Sequence, residues 1–542
     1  MKTPATPNTS PDTHRPPWIP TSRWIRSGEI TPSANAALIS LAVFAFLWAV
    51  ARAHVQAITG DEGVTFTFFA ERVSPSHWLP ESNNHVLNSI LIRLLTSIFG
   101  ISHLSMRAPA LLGAAVYIAA AYCLVRLSSN RWTLQVPFFI CLVYNPFLFD
   151  FYVAARGYGM ASAFLTCAVA LPSWCYLRAE ESGGRRHILA AACSSACLAL
   201  AVAANFSFAF IAGVTGLMLL IWAARIAAPS GSGGWRGRIP LLAAAIVPFL
   251  AVTLLLTLYT ALHFSQKELH DGGTSVSETV RTAVEASLYR PNPYVLNAYL
   301  YPVAERLKGY LLRLLLLAVL FHVLVMLRNW PALRDSVADR SLRLAGVLIG
   351  MACLTLFLHH KAYLFFGLLL PRHRTAIWLV PLYTLAAGFI ASVSLPSRLA
   401  RVSRGALIGV LFVVSFYFIG CLRLTYFKEW QYQEDVQRAY NVVAWLNHNR
   451  CVKDVEVGWW YHGAMTFYRS ASGRESLNEF TVSMDHPPDK QAYVLNSAHE
   501  GAFIQQQGLK IVYHGPKSDI VVAVRPEYLD PPAAPCSALP QP

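Results

Sequence analysis

Residues 36–50 read AALISLAVFAFLWAV, and only Ser40 among them is polar. Runs 108–125, 241–262 and 405–422 are comparably apolar. A helix needs roughly 20 such residues to cross a hydrocarbon core of ~30 Å. Over the 542 residues, hydrophobic side chains make up 55% and charged ones 13%. That charged share is about half the usual one for soluble domains. A soluble protein cannot hide so much apolar surface, whereas a bilayer can. The chain therefore reads as an α-helical polytopic membrane protein.

Apolar runs place spans at 36–55, 107–126, 132–150, 158–177, 187–205, 207–225, 239–263, 309–327, 342–358, 375–394 and 405–423, about eleven in all. Alternate loops then separate by charge. The N-terminal tail, Arg126/Arg131, Arg178/Arg185/Arg186, Arg225/Arg236/Arg238, Arg328/Arg334/Arg340/Arg343 and Arg398/Arg401/Arg404 fall on one side. The positive-inside rule makes that side the cytoplasm. The N-terminus is then inside and the C-terminus outside, in a bacterial inner membrane. The net charge of +15 follows from this pattern, and its cations sit in short loops between spans. A nucleic-acid partner, the other reading of such a charge, is rejected on that ground.

Residues 362–371 (AYLFFGLLLP) decide the count. They are apolar, too short to cross, and bracketed by His359-His360-Lys361 and Arg372-His373-Arg374. An outside re-entrant or interfacial loop keeps the charge pattern intact. A span here would expose Arg398, Arg401 and Arg404 outside. Residues 1–33, polar and Pro-rich, read as a disordered cytoplasmic tail. Ala51-Arg52-Ala53 after the first run has the look of a signal-peptide cleavage site, but the long polar tail favours an uncleaved span.

A membrane domain therefore covers 34–427, with long outside loops at 56–106 and 264–308. In the first loop, 86–99 (VLNSILIRLLTSIF) repeats apolar residues at helical spacing, with Asn88, Ser89, Arg93, Thr96 and Ser97 between them. This predicts an amphipathic helix flat on the membrane, its polar face wet. Tyr289, Tyr294, Tyr299 and Tyr301 in the second loop suit headgroup depth. From 428 to 542 the composition changes to that of a small α/β domain. A helix is predicted over 433–448, strands over 453–460, 491–496, 509–513 and 519–525, and a short helix over 500–507. Most of the ten cysteines lie in apolar runs and read as small buried hydrophobes. Cys451 and Cys536 fall in the C-terminal domain, where an extracytoplasmic location would permit a disulfide. No zinc spacing occurs and no metal site is indicated, so metal dependence stays open.

Several polar residues fall at the outer ends of spans. Asp61-Glu62 follows the first span. Neighbouring residues on a helix diverge, so one is expected to do chemistry and the other to make a structural hydrogen bond. The bland alternative is an acidic pair favouring the dipole of a helix over 63–72. Asn83-Asn84-His85 precedes the amphipathic helix, where asparagine is a common cap and His85 lies near headgroup depth. Arg107 opens the second span and either snorkels or binds. Arg156, in Ala155-Arg156-Gly157-Tyr158-Gly159, is an outside cation that runs against the charge bias. Arginine suits bidentate phosphate contacts, and the glycines flanking Tyr158 allow close backbone approach to a ligand. Lys361, Arg372, His373 and Arg374 form an outside cationic cluster fitted to an anionic headgroup.

In this order and topology the motifs resemble the GT-C superfamily of membrane glycosyltransferases, in particular the bacterial branch akin to protein mannosyltransferases and the lipid A aminoarabinose transferase. The resemblance covers roughly 36–425. It implies a polyprenyl-phosphate sugar donor, transfer on the periplasmic side with inversion, and an acidic catalytic residue at Asp61 with Glu62 beside it. Where family members carry His or Lys before Pro-Pro-Leu, this chain has His85-Val86-Leu87, without the proline pair. The residues expected to bind substrate or phosphate are Asn84, His85, Arg107, Arg156, Tyr158, Lys361, Arg372 and Arg374. The acceptor stays open among glycan, lipid and protein, and membrane lipids are partners. Two rival classes remain. A flippase or transporter would place ionisable residues near the midplane and show repeated halves; a non-catalytic assembly subunit would use the C-terminal domain to bind a partner.

Overall fold

The computed structural model describes residues 32–71, 83–178, 184–226, 239–263, 272–292, 299–329, 337–473, 476–483, 486–530 and 536. The expected N-terminal tail, apart from its last two residues, lies outside these, as does Tyr294.

Among the described residues, ten helices are long and apolar enough to cross a membrane. They belong to α1 (Pro32–Val55), α4 (His103–Ser128), α7 (Tyr158–Leu177), α8 (Gly184–Ala204), α9 (Ala209–Arg225, extended by a short turn), α10 (Ile239–His263), α12 (Leu300–Arg328), α13 (Val337–Phe366), α14 (Leu379–Ser392, extended by the turn before it) and α15 (Arg398–Gly420). Their outer faces are bare apolar surface. Leu255 and Leu262 of α10, for example, are 80% and 71% exposed. Water would not tolerate a belt of this kind, and lipid would.

The remaining expected span, 132–150, is not one helix. It divides into α5 (Trp132–Val143) and α6 (Pro146–Phe151). Asn145 caps α6 through its side chain, and Pro146 takes the first helical position, where its missing N–H costs nothing. The two run in series beside α1. Tyr144 donates to the Leu41 carbonyl midway along α1 (2.6 Å), and Asp150 pairs with Arg52 near the end of α1 (2.6 Å). Between Tyr144 and Asp150 the chain thus follows α1 from Leu41 to Arg52.

Two further expectations change. Residues 362–366 are not a loop but the last turns of α13, which runs unbroken to Phe366. Only then does the chain extend, with Leu370 bridging Gly273. The amphipathic helix α3 (Val86–Phe99) forms as expected, but part of its polar face turns inward, while Arg93 and Ser97 stay exposed. Asn88, Ser89 and Thr96 are buried, whereas Leu94, Ile98 and Phe99 are exposed. The Asn88 amide donates to the Ala155 carbonyl (3.0 Å). A polar side chain at a lipid boundary is satisfied by protein rather than by water.

The C-terminal region is a four-stranded sheet in the order β1-β2-β4-β3. Strands β1 (Val455–Val457) and β2 (Ala492–Asn496) are parallel; β4 (Ile520–Val524) is antiparallel to β2 and to β3 (Lys510–His514). The central strands β2 and β4 are buried throughout because helices cover both faces. Helices α16 (Val436–Arg450) and α17 (Trp459–Ser472) cover one face and α18 (Ser497–Gln506) the other. A disulfide joins Cys451 to Cys536. The strand expected over 453–460 ends at Val457. Gly458 breaks it and Trp459 begins α17, whose buried Tyr461, Ala464, Met465 and Tyr468 recur at helical spacing. The core beneath α16 and α17 is continuous with the segment that follows α1: Ala57, Ile58, Phe66, Ala70 and Ile92 belong to it.

Candidate active site

The acidic pair lies on α2 (Gly60–Val64), a helix of five residues. So short a helix does not form unaided. Thr59 and Glu62 supply a capping box: the Thr59 hydroxyl accepts from the Glu62 amide (3.2 Å), and the Glu62 carboxylate accepts from the Thr59 amide (2.9 Å). A π-helical turn, Thr65–Ala70, continues it.

Glu62 is wholly buried. Its Oε1 accepts from Arg107 Nε (2.8 Å) and the Ala155 amide (2.9 Å), and its Oε2 also accepts from Arg107 Nη2 (2.7 Å). Arg107 spends its other N–H groups on the carbonyls of Ala53, Gln56 and Ala57 at 2.7 to 3.0 Å. It thereby closes the C-terminal end of α1, where a cation is favoured. Burial pushes the Glu62 carboxyl up, but Arg107 and the two amides outweigh it and hold the group below its ordinary value. The Glu62–Arg107 pair thus joins α1, α2, α4 and the Ala155 loop.

Asp61 faces the other way, with its side chain one-third exposed. Its Oδ2 accepts from Arg374 Nη1 at 2.6 Å and lies 3.9 Å from Arg156 Nε. Burial raises this carboxyl too; Arg156 and then Arg374 outweigh that and hold it below its ordinary value.

Arg156 is fully buried. Its Nη1 donates to Thr65 Oγ1 (2.8 Å) and the Asp61 carbonyl (3.3 Å), and its Nη2 donates to Asn83. The flanking glycines serve packing against protein. Gly157 has φ 71°, and a Cβ there would meet the Ala204 carbonyl at 2.1 Å; one on Gly159 would meet the Phe151 carbonyl at the same distance. The ring of the buried Tyr158 stands edge-on to His85, with centroids 5.3 Å apart. His85 is 3% exposed. Burial, then Arg156 and Arg374, push its pKa well below the ordinary histidine value against a smaller pull from the Ala204 carbonyl. Asn84 is buried and accepts from the Ser89 hydroxyl (2.9 Å), fixing the start of α3.

Arg374 comes from the short 3₁₀ turn His373–Ala376. This turn is pinned by the Arg372 amide on Thr375 Oγ1 (2.7 Å) and the His373 amide on Thr282 Oγ1 (3.1 Å). His373 has φ 48°, a conformation uncommon for a non-glycine residue. Trp430 lies under the Arg374 guanidinium at 5.9 Å. The other cations expected beside it point elsewhere. Arg372 pairs with Glu278 of α11 (Val276–Ser287) at 3.4 Å. Lys361 sits over the Phe357 ring at 5.5 Å, on an open groove of about 600 Å³ shared with Phe210, Phe365 and Phe366.

The structure thus gathers Asp61, His85, Arg156, Tyr158 and Arg374, adds Thr65 and Trp430, which the sequence reading did not single out, and brings in Asn83, read there only as a helix cap. A second buried pair supports them. Arg52 and Asp150 are each 2% exposed, and Asp150 Oδ2 accepts from the Lys428 amide (2.9 Å). That bond holds the segment leading to Trp430. Thr59-x-x-Glu62 is a capping-box pattern legible in sequence; nothing local marks Trp430. Among the described residues no group of three or more His, Cys, Asp or Glu side chains is placed to hold a metal ion.

No protein-family model matches the chain, and no curated protein does. Among solved structures, ArnT from Cupriavidus metallidurans bound to undecaprenyl phosphate is similar over 91% of this chain and 98% of its own, at 11% identity and TM-score 0.49. The Archaeoglobus fulgidus oligosaccharyltransferase is similar over 86% of this chain and 69% of its own, at 13% identity and TM-score 0.40. The arabinosyltransferase EmbB from Mycobacterium smegmatis is similar over 85% and 44%, at 12% identity and TM-score 0.37.

Proposed function

We propose that this chain is a GT-C-like membrane glycosyltransferase that moves a sugar from a polyprenyl-phosphate donor to an acceptor hydroxyl on the periplasmic face, with inversion. The observation that carries this reading is Asp61: a partly exposed carboxylate between the guanidiniums of Arg374 (2.6 Å) and Arg156 (3.9 Å), at the outer ends of the spans. Asp61 takes the proton of the acceptor hydroxyl as its oxygen attacks the anomeric carbon. The bond from that carbon to the phosphate oxygen breaks, and its electron pair leaves with polyprenyl phosphate. A phosphate leaving group needs positive charge, not a proton, and Arg374 and Arg156 supply it. One displacement inverts the anomeric centre.

In the ligand-free arrangement Asp61 is a weak base because the two cations stabilise its charged form. A donor phosphate draws the same guanidiniums and releases the carboxylate where burial favours its protonation. Binding of the donor thereby prepares the base. An apolar cavity of about 460 Å³, lined by Val280, Leu311, Leu315, Leu379, Tyr383 and Phe418 among others, is suited to part of the lipid chain. The separation of arginine-rich loops from the Asp61 end supports an N-terminus inside and a C-terminus outside.

The transporter reading gains less support, since the buried ion pairs Arg52–Asp150 and Arg107–Glu62 sit at the outer ends of α1 and α4 rather than at mid-depth. The test is transfer of label from polyprenyl-phosphate sugars, with membranes of a deletion strain as acceptor. Label should reach a membrane component with the wild-type chain and not with Asp61→Asn. If no donor yields transfer, the proposal fails.

A further inference from the structure

The acidic helix α2 is gripped from outside the membrane domain. Helix α17 crosses it backbone to backbone. A Cβ on Gly63 would lie 2.0 Å from the Gly463 carbonyl oxygen, and one on Gly463 would lie 2.3 Å from the Gly60 oxygen. Only glycines permit this approach. Two amides just before Asp61 are also satisfied from the C-terminal region. The Ile58 amide donates to the Tyr468 hydroxyl (2.9 Å), which also meets His103 Nε2 (3.1 Å). The Gly60 amide donates to Gln433 Oε1 (2.7 Å), whose Nε2 donates to the Trp460 carbonyl (2.7 Å). Beyond Asp61, Phe66 packs edge-on against Phe467 at 5.4 Å. Asp61 therefore lies between attachments at Ile58 and Gly60 on one side and at Gly63 and Phe66 on the other, all made by the C-terminal domain. Its counter-ions Arg156 and Arg374 are carried by the membrane domain.

We infer that the C-terminal α/β domain is a positioning element of the Asp61 site: Gly463, Tyr468 and Gln433 set the carboxylate's place relative to Arg156 and Arg374. This rests on the reading of Asp61 as the base. A five-residue helix has little rigidity of its own, so its register depends on what it packs against. A misplacement of about 1 Å can cost roughly 100-fold in rate. The domain thus acts on turnover more than on donor binding, because the phosphate-binding cations do not reside on it.

The test uses the full-length chain in detergent, as Tyr468→Phe and Gly463→Ala. Tyr468→Phe removes one hydroxyl without changing packing volume and stands in should Gly463→Ala fail to fold. Amide exchange over 57–66 and undecaprenyl-phosphate binding are read without any transfer assay. The expected result is faster exchange over 57–66, a kcat lowered by roughly 10- to 100-fold, and donor KM and undecaprenyl-phosphate binding within about twofold. A merely structural role would lower the folded fraction and leave kcat per folded molecule unchanged. Unchanged exchange, or faster exchange with wild-type kcat, overturns the proposal. If the wild-type chain transfers from no polyprenyl donor, the reading of Asp61 as the base falls with it, whatever the exchange pattern.

Discussion

Glu62 and Arg107 form a wholly buried two-bond pair, Nε to Oε1 at 2.8 Å and Nη2 to Oε2 at 2.7 Å. Removing one partner strands the other charge, at a cost of about 3–5 kcal/mol. Glu62→Gln and Arg107→Ala should therefore reduce the amount of folded protein recovered from membranes and lower its Tm. Arg107→Lys should rescue little, since lysine cannot reproduce the planar fork. The pH sign follows from the depressed carboxyl. The group binds its proton more weakly folded than unfolded, so its stabilisation is full above the ordinary glutamate range and fades as pH falls through the folded value. A Glu62→Gln variant that is as stable and as abundant as wild type would refute this.

Asp61→Asn, by contrast, should leave folding intact and lower transfer by roughly 10²- to 10⁴-fold, the contribution of a positioned base. The acid limb of kcat/KM reports the free enzyme and should lie below the ordinary aspartate range, because Arg156 and Arg374 depress the group. The limb of kcat reports the donor complex and should lie at higher pH, once phosphate has drawn those cations away. Coincident limbs would show that no such exchange occurs.

Arg374 is the more exposed of the two cations, and its 3₁₀ turn is tied down by Thr282 and Thr375. Arg374→Ala should lower kcat/KM by roughly 10²- to 10³-fold, as removal of a donor to a developing anion does. It should also raise the Asp61 pKa in the free enzyme, moving the kcat/KM limb upward. The two effects together separate this role from simple binding, and wild-type kinetics in this variant would remove Arg374 from the site. Arg372→Ala should have a smaller effect, because Arg372 pairs with Glu278.

The sequence made the spans and the motif order legible because hydropathy and loop charge are local quantities. It could not divide the roles of Asp61 and Glu62, since that depends on Arg107 and Ala155, brought in from other elements. Trp459 and Trp460 read as the end of a strand because bulky apolar residues follow β1 directly; the helical spacing of Tyr461, Ala464, Met465 and Tyr468 was the signal against it. For α3, amphipathicity gave the helix but not which face meets protein, because lipid reverses the usual preference. The break at Asn145-Pro146 was visible as a cap followed by proline, within a run whose hydropathy concealed it.

The joined Cys451 and Cys536 offer a test of orientation that needs no assay of activity. Disulfides persist in the periplasm and are kept reduced in the cytosol. The bond closes a stretch of 85 residues, which a chain-entropy account values at about 4 to 5 kcal/mol. If the C-terminal domain is outside, thiol labelling of denatured, unreduced protein should miss both cysteines, and reduction should expose both. Reductant should also lower the Tm of the purified chain, and Cys451→Ser should lower it by a similar amount. Both cysteines labelled without reduction, in protein from cells quenched with acid, would put the domain in the cytoplasm. The Asp61 helix is fastened to that domain through Gly463 and Tyr468, so the whole site would move with it, and a periplasmic transfer reaction would be excluded.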